Sequence, residues 1–484
     1  MSDLDSYAMP DERLEEHLRH PRGRGRRLES AFHGAAGGAA CGDLVRFSLT
    51  VDGERVVAAG FEASGCGSMI AAASAAVELV EGVGILDAAR IGSPQIAAEL
   101  GGLSAGKLHA SDLASDALHR ALGAAARAQG ALERDENRTL VAMSGGVDSA
   151  VAALLSARDG ADVAAVTLEL WADEDNDGDR SCCSAAAVRG ARRVAHGLAM
   201  AHFTLDLRDE FRAGVVDPWL REHADGETPN PCVRCNGHVR LDAMLEFADR
   251  IGAPTLTTGH YARRTPDGLL RLAADPAKDQ TYMLSAVSRG TLARLRFPLG
   301  ELTKPKVRAV AAEAGLPVAS KADSQDLCFL AGTGKAAFLA RHGGLRERPG
   351  DILDRGGRVL GRHRGHHGFT VGQRKGLGIA APEPLYVLAT DARANTVTVG
   401  PRTELQTSTV HVRGLRMHGA EPDAVRLRYH APALRCRLDG NRIDLDEPFD
   451  GAAPGQTAVF LRGDAIVGCA TIAASMPIRD RSSR

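Results

Sequence analysis

The hexapeptide Ser144-Gly145-Gly146-Val147-Asp148-Ser149 constrains this chain more than any other stretch. It follows an apolar run, Leu140 to Met143, and precedes an Ala/Leu-rich segment, Ala150 to Ala157, an order that reads as strand, tight turn, helix. Two glycines let the backbone approach a ligand closely, and the hydroxyls and N–H groups at a helix start suit an anion such as phosphate. The G-x-x-x-x-G-K-[ST] spacing and its lysine are absent, so this is not a Walker loop. Taken alone, the hexapeptide also fits an ordinary glycine turn ahead of a helix. Its surroundings narrow the choice. Apolar runs at Val163–Leu170, His202–Leu207 and Ala253–Leu256 alternate with helical patterns around Ala185–Leu198 and on to Glu222. That alternation predicts a parallel doubly wound sheet, which binds ligands at the carboxyl ends of its strands. The hexapeptide lies at one such end and Thr257-Thr258-Gly259-His260 at another.

Cysteines supply the second constraint. Gly226 to Asn236 holds two prolines and two asparagines and reads as a rigid, non-helical loop. Its Cys232 and Cys235 are in C-x-x-C spacing with Arg234 between them, which favours thiolate character. A zinc half-site, a redox pair and a cluster half-site all remain open; a zinc site needs two further close ligands, and no second C-x-x-C or C-x-x-H is present. Cys328 appears far downstream, in the polar stretch Asp323 to Phe329. Cys182 and Cys183 read either as redox-active or as buried and inert. Nine cysteines in 484 residues do not form a disulfide framework, the polar N-terminus has no signal-like apolar core, and no run of about 18 apolar residues would span a membrane. A reducing cytoplasm is therefore expected. A net charge of −2 gives no global attraction to nucleic acid, but Arg355 to Ala380 carries Arg355, Arg358, Arg362, Arg364, Arg374 and Lys375 with no acidic residue, which favours an anionic partner.

The first segment predicts a hairpin over Leu44–Ala58 turning at Asp52-Gly53, a small-residue helix after Gly65-Cys66-Gly67-Ser68, and a helix over Ser111–Ala128. Cys41, Asp43, Cys66 and His109 are candidate ligands for zinc or iron. The polar stretch after it, within residues 129–137, reads as a linker, and regular short strands from Gly350 onward predict a small barrel.

These motifs carry resemblances. The hexapeptide resembles the PP-loop of ATP pyrophosphatases. "HPRGRG", "CGD", "FEASGCGSMIAAASAAVEL" and "KLHASDLASDALHRAL" resemble a NifU/IscU-type iron–sulfur scaffold, whose cluster ligands fall on Cys41, Asp43, Cys66 and His109, while the third cysteine is replaced by Ala110. TPNPCVRCN, TTGHYAR, DPAKDQTYML, FPLGELTKPKVR, SKADSQDLCF, GFTVGQRKGLGI and PGQTAVF, in that order, resemble the tRNA-specific 2-thiouridylases. The implied fold is multidomain: an α+β scaffold-like domain (1–130), a linker (131–137), an α/β doubly wound PP-loop domain (138–300), a small central domain (301–349) and a C-terminal β-barrel (350–484). The resemblance implies 2-thiolation of the tRNA wobble uridine with ATP and Mg²⁺. It places ATP on Ser144, Gly145, Gly146, Val147, Asp148, Ser149, Leu168 and Gly259, and sulfur transfer on Cys328 and Cys235. Cys232, Cys235 and Cys328 alternatively supply ligands of a [4Fe–4S] cluster. Contacts to tRNA fall on Asn230, Pro231, Cys232, His260, Lys278, Asp279, Gln280 and Gln456, with Arg428 and Tyr429 as further candidates. A cysteine desulfurase or sulfur-relay protein is the implied partner. Two other readings are an iron–sulfur carrier with a secondary PP-loop half and a PP-loop synthetase acting on a small molecule.

Overall fold

Leu140, Val141, Val163 and Val166 lie in strands too apolar to face water on either side, and all four are buried in a parallel sheet. The computed structural model describes residues 12–37, 42–172, 184–323, 327–330 and 332–474. In the sheet the strands run Leu295–Arg296, Thr255–Thr258, Arg138–Ala142, Asp162–Glu169, Ala201–Asp206, all parallel. Strand order reverses between Arg138–Ala142 and Thr255–Thr258, so the ligand crevice opens beyond Ala142 and Thr258. The hexapeptide and Gly259-His260 leave from those two strand ends.

The chain folds as two compact units, the first made of residues 1–208, 243–260 and 294–329 and the second of 209–242, 261–293 and 330–484. In the first unit, the antiparallel strands Phe32–Gly37, Leu44–Asp52 and Arg55–Ser64 form a separate sheet, with Gly53 at φ +58° in the expected turn. The helices Gly67–Val80, Ser93–Glu99 and Leu108–Gln129 belong to the same N-terminal part. Small residues permit close layers: a Cβ on Gly34 would lie 2.1 Å from the Ala117 carbonyl oxygen.

The long helix is buried on more than one side because it also packs on Ala201–Asp206 of the parallel sheet, where a Cβ on Gly123 would lie 2.0 Å from the Thr204 carbonyl oxygen. Residues 131–137, expected as a linker, are fastened: the N–H groups of Leu132 and Asp135 donate to the carbonyls of Arg250 and Gly252. Polar side chains seal the same contact. Buried Asp116 of the long helix accepts from Arg192 and, at 3.2 Å, from Arg189, both on the helix Ala185–Gly197. Arg120 grips Glu169 at the end of its strand. His119 lies 2.7 Å from the His202 carbonyl, and His196 lies 3.0 Å from that of Ala89.

Burial holds His196 down to about 4, the Ala89 carbonyl opposing and nearby Arg192 reinforcing the shift. A histidine neutral in the fold but protonated when unfolded stabilises the fold above its unfolded pKa and loses that contribution as pH falls. Acidification from about 6.5 toward 4 is therefore expected to remove up to about 3 kcal/mol at this contact. Hydrogen exchange of the helix Leu108–Gln129 at several pH values checks this; His196→Gln should flatten the dependence.

In the second unit the strand-rich tail forms the expected C-terminal barrel, with a smaller sheet ahead of it. Val359–His363, Gly350–Leu353, Thr396–Gly400 and Tyr386–Asp391 make a four-stranded sheet around Ile352, Val387, Val397 and Val399. Gln406–Met417, Arg442–Asp450, Leu434–Asp439, Ala424–Arg426, Thr457–Arg462 and Ala465–Ile472 follow in a second sheet, which closes because the last strand pairs back onto the first. Cys469 is buried in this barrel, and Cys436, half-buried, packs on its core with its thiol pushed up to about 11 by burial.

Candidate active site

The hexapeptide turns tightly from the strand Arg138–Ala142 into the helix Val147–Arg158. Gly146 caps the helix Val147–Arg158 without any side-chain cap hydrogen bond, leaving the first N–H groups of the helix for a ligand. Gly145 takes φ +70°, and a Cβ there would come within 2.7 Å of the Ala187 carbonyl oxygen. Ser149 Oγ receives the Ser144 N–H at 3.1 Å and lies 3.2 Å from Ser144 Oγ, which fixes the loop's curvature. Gly259 is needed for closeness: a Cβ there would meet the Ser149 nitrogen at 2.7 Å. Leu168 is buried in the strand that ends at Glu169.

Three cations around this loop were not singled out in the sequence. Lys304 Nζ donates to both Asp148 oxygens, at 2.7 and 2.8 Å, and also bridges to Asp323 at 2.8 Å. Lys321 Nζ donates to the Gly145 carbonyl at 2.8 Å, and Arg308 pairs with Asp323 at 2.9 Å. Lys304 opens the helix Lys304–Glu313, where a cation opposes the helix dipole; that placement was the available signal that something else holds it. The Asp148–Lys304–Asp323 bridge ties the phosphate loop to the chain segment that leads to Cys328. Phe329, buried beside Cys328, packs edge-on against Trp171 with ring centroids 6.5 Å apart. Ser324 to Asp326, within the motif, lie outside the described residues, as do Cys41, Cys182 and Cys183.

The C-x-x-C stretch corrects the expectation of a non-helical loop. Pro231–Cys235 is helical, continuing into the π-helical turn Asn236–Arg240. Proline fits a first helical position, and Asn230 caps the start by accepting the N–H groups of Cys232 and Val233 at 3.1 and 3.3 Å. Cys232 and Cys235 thus stand one turn apart, Cys235 buried and Cys232 half-buried.

In the N-terminal sheet domain the ligand atoms of Asp43, Cys66 and His109 lie within 4.8 Å of one another. His109 Nε2 is 3.0 Å from Asp43 Oδ2, and the Cys66 N–H donates to Asp43 Oδ1 at 3.0 Å. Burial pushes the Asp43 carboxyl up, but the Cys66 N–H and His109 outweigh it, leaving the group below the usual carboxylate range. The donor set N, O, S suits zinc or iron, whereas Ala110 is fully buried and offers no ligand.

Several residues expected at tRNA also make hydrogen bonds within the fold. Asp279 is buried, accepting from the Ala273 N–H, the Thr281 hydroxyl and Arg426. Gln280 accepts the Tyr261 N–H at 2.9 Å, and Gln456 donates to the Thr228 carbonyl. His260 lies 2.9 Å from the Thr258 hydroxyl. Tyr429 stacks on His430 and faces Tyr282, and Arg428 sits 5.9 Å over Phe449. The basic stretch Arg355–Ala380 is partly neutralised by acids from outside it: Arg358 pairs with Asp354, Arg362 with Asp351 and Arg364 with Glu347.

Four family models match in succession: a NifU-like N terminal domain over residues 10–130, the tRNA methyl transferase HUP domain over 137–332, its PRC-barrel domain over 336–401 and an aminomethyltransferase beta-barrel domain over 405–472. A bifunctional protein NifU/MnmA from Rubrobacter xylanophilus is 45% identical over 95% of this chain and 98% of its own length. The chain belongs to the NifU-fused MnmA family. The tRNA-specific 2-thiouridylases MnmA of Salinispora tropica and Thermobifida fusca are 44% identical and cover 70% and 69% of this chain, with 99% and 95% of their own lengths matched. The HUP match takes in the hexapeptide, the C-x-x-C helix and Cys328 of this chain. Two polar side chains of the helix Ala185–Gly197 face the NifU-like domain, where Arg189 and Arg192 hold Asp116.

Proposed function

We propose that the protein is a cytoplasmic tRNA 2-thiouridylase acting on the anticodon wobble uridine. The observation that supports it most is the Asp148–Lys304–Asp323 bridge, which couples the nucleotide loop to the segment bearing Cys328. The C2 oxygen of the uracil attacks the α-phosphorus of ATP, pyrophosphate leaves, and the oxygen becomes part of an adenylate. The N–H groups and hydroxyls of Ser144–Ser149 hold phosphate oxygens, Leu168 lines the adenine side and Gly259 admits the nucleotide. Mg²⁺ accompanies the phosphates. Catalysis here is positioning and charge stabilisation.

Sulfur then enters at C2 and AMP departs. A donor persulfide passes its outer sulfur to the Cys328 thiolate. Cys235 thiolate attacks the Cys328 sulfur, releasing hydrosulfide and closing a Cys235–Cys328 disulfide; the hydrosulfide adds to C2, and an external dithiol reduces the disulfide. A [4Fe–4S] cluster on Cys232, Cys235 and Cys328 would supply an alternative sulfur carrier. The NifU-like domain docks a cysteine desulfurase or sulfur-relay protein, and Asp43, Cys66 and His109 hold zinc or a labile iron–sulfur unit there.

The test uses the full-length protein, purified anaerobically, with unmodified tRNA, ATP, Mg²⁺ and a sulfur donor. One AMP and one pyrophosphate per 2-thiouridine are expected. ATP turnover without RNA would instead indicate a small-molecule synthetase, and iron and sulfide uptake with no thiolation a carrier. Lys304→Ala is expected to lower kcat about 10²-fold by removing a charge at the loop, with Lys304→Arg recovering part of it in the same assay.

A further inference from the structure

The barrel, the turn after the C-x-x-C helix and residues 285–289 line a cavity of about 310 Å³ that neither nucleotide binding nor sulfur transfer uses. Its charge is lopsided: Arg289, Arg416, His238 and His418 face one carboxylate, Asp242. Arg416 Nη1 lies 3.2 Å from His238 Nε2, and Arg289 donates only to a backbone carbonyl, that of Asp267, at 3.1 Å. Neither arginine has a carboxylate partner among the described residues. Asp242 already accepts the Thr291 hydroxyl at 2.8 Å. Burial, then Arg416 and Arg234, hold the His238 ring below its ordinary pKa, and burial with Arg289 does the same to His418. Two guanidiniums set against a single carboxylate leave an excess of positive charge, which an anion between them would stabilise.

The place in the chain indicates which anion. Gly237 and His238 lie two and three residues after Cys235, in the turn Asn236–Arg240, and Gly237 is pressed against Ala286, where a Cβ would sit 2.7 Å from the alanine methyl. Arg416, Arg289 and His238 are exposed, so the guanidinium forks are presented to a ligand arriving from solvent. We propose that this cavity takes one backbone phosphate of the tRNA substrate, fixing the RNA beside the C-x-x-C helix. The inference rests on the tRNA reading above. Phosphate contacts of this kind set register without reading sequence.

The test compares tRNA binding by the full-length protein and by Arg289→Ala/Arg416→Ala over a range of salt. The double variant is expected to bind about tenfold more weakly at low salt, and the slope of log K against log salt should fall by about one. Arg289→Lys/Arg416→Lys should keep most of that slope, which separates charge from misfolding. If the wild type binds no tRNA, the functional reading itself fails. If the wild type binds and the alanine variant keeps both affinity and slope, the cavity is not a tRNA contact. Inorganic phosphate distinguishes the other source: protection of the wild type but not the variant against heat at low millimolar phosphate, with unchanged tRNA binding by the variant, would make it a free-anion site and overturn the proposal.

Discussion

Cys328→Ser is expected to abolish 2-thiouridine formation, a loss of more than about 10³-fold, while tRNA-dependent release of AMP persists. A serine oxygen cannot carry a persulfide, so no sulfur reaches C2. The phosphate loop, held by Lys304, Lys321 and Asp323, is untouched by the change. The adenylated base would then be lost to water, giving AMP and unchanged uridine, a futile cycle that separates loss of the sulfur carrier from collapse of the site. Free sulfide added in excess should restore part of the thiolation, because in the disulfide route hydrosulfide is the species that attacks. Cys235→Ser should block multiple turnover with a persulfide donor yet respond to sulfide in the same way. Loss of AMP release together with thiolation in Cys328→Ser would contradict this division of labour.

Much of this arrangement was legible in the chain. Alternating apolar runs gave the parallel sheet, and the two glycines before an alanine-rich helix marked where an anion would go. The C-x-x-C helix is hidden in the sequence because Pro229 and Pro231 read as breakers. A proline at a first helical position preceded by a capping asparagine is a start signal, and the local sequence held it. Lys304 and Lys321 were harder, since what makes them important is a contact 156 or 176 residues away along the chain. In the tail, Leu434–Asp439 alternates aliphatic or thiol with charge in the strand period, but its exposed arginines hid it among loop residues. The docking of the NifU-like domain was not legible at all. Arg189, Arg192 and His196 share one face of a helix, and by local pattern such a face reads as solvated. Only the acid brought by another part of the chain makes it an interior.

That acid sets the second large effect. Asp116→Ala is expected to destabilise the first unit by about 3–5 kcal/mol, because it strands a guanidinium that the fold has buried. Arg192 is 5% exposed and Asp116 4%, so water cannot replace the lost partner. Ser115 would remain on Arg192 at 3.0 Å, but a hydroxyl does not neutralise the charge. The direction of the effect depends on removing one partner and not both. Asp116→Leu with Arg192→Met replaces the pair by apolar groups of similar length and should recover most of the stability, the buried-pair desolvation being removed along with the attraction. Hydrogen exchange on the full-length protein distinguishes the site of damage: the single variant should lose protection in Leu108–Gln129 and in Ala185–Gly197 together, since Asp116 of the first holds Arg189 and Arg192 of the second, while the closed barrel of the second unit keeps its own. Unchanged protection in both helices would mean that the NifU-like domain is merely tethered to the catalytic sheet. Loss in both, with thiolation reduced in parallel, would mean that the domain is a fixed wall of the enzyme, gripping through Arg120 and Glu169 the end of the strand that carries Leu168.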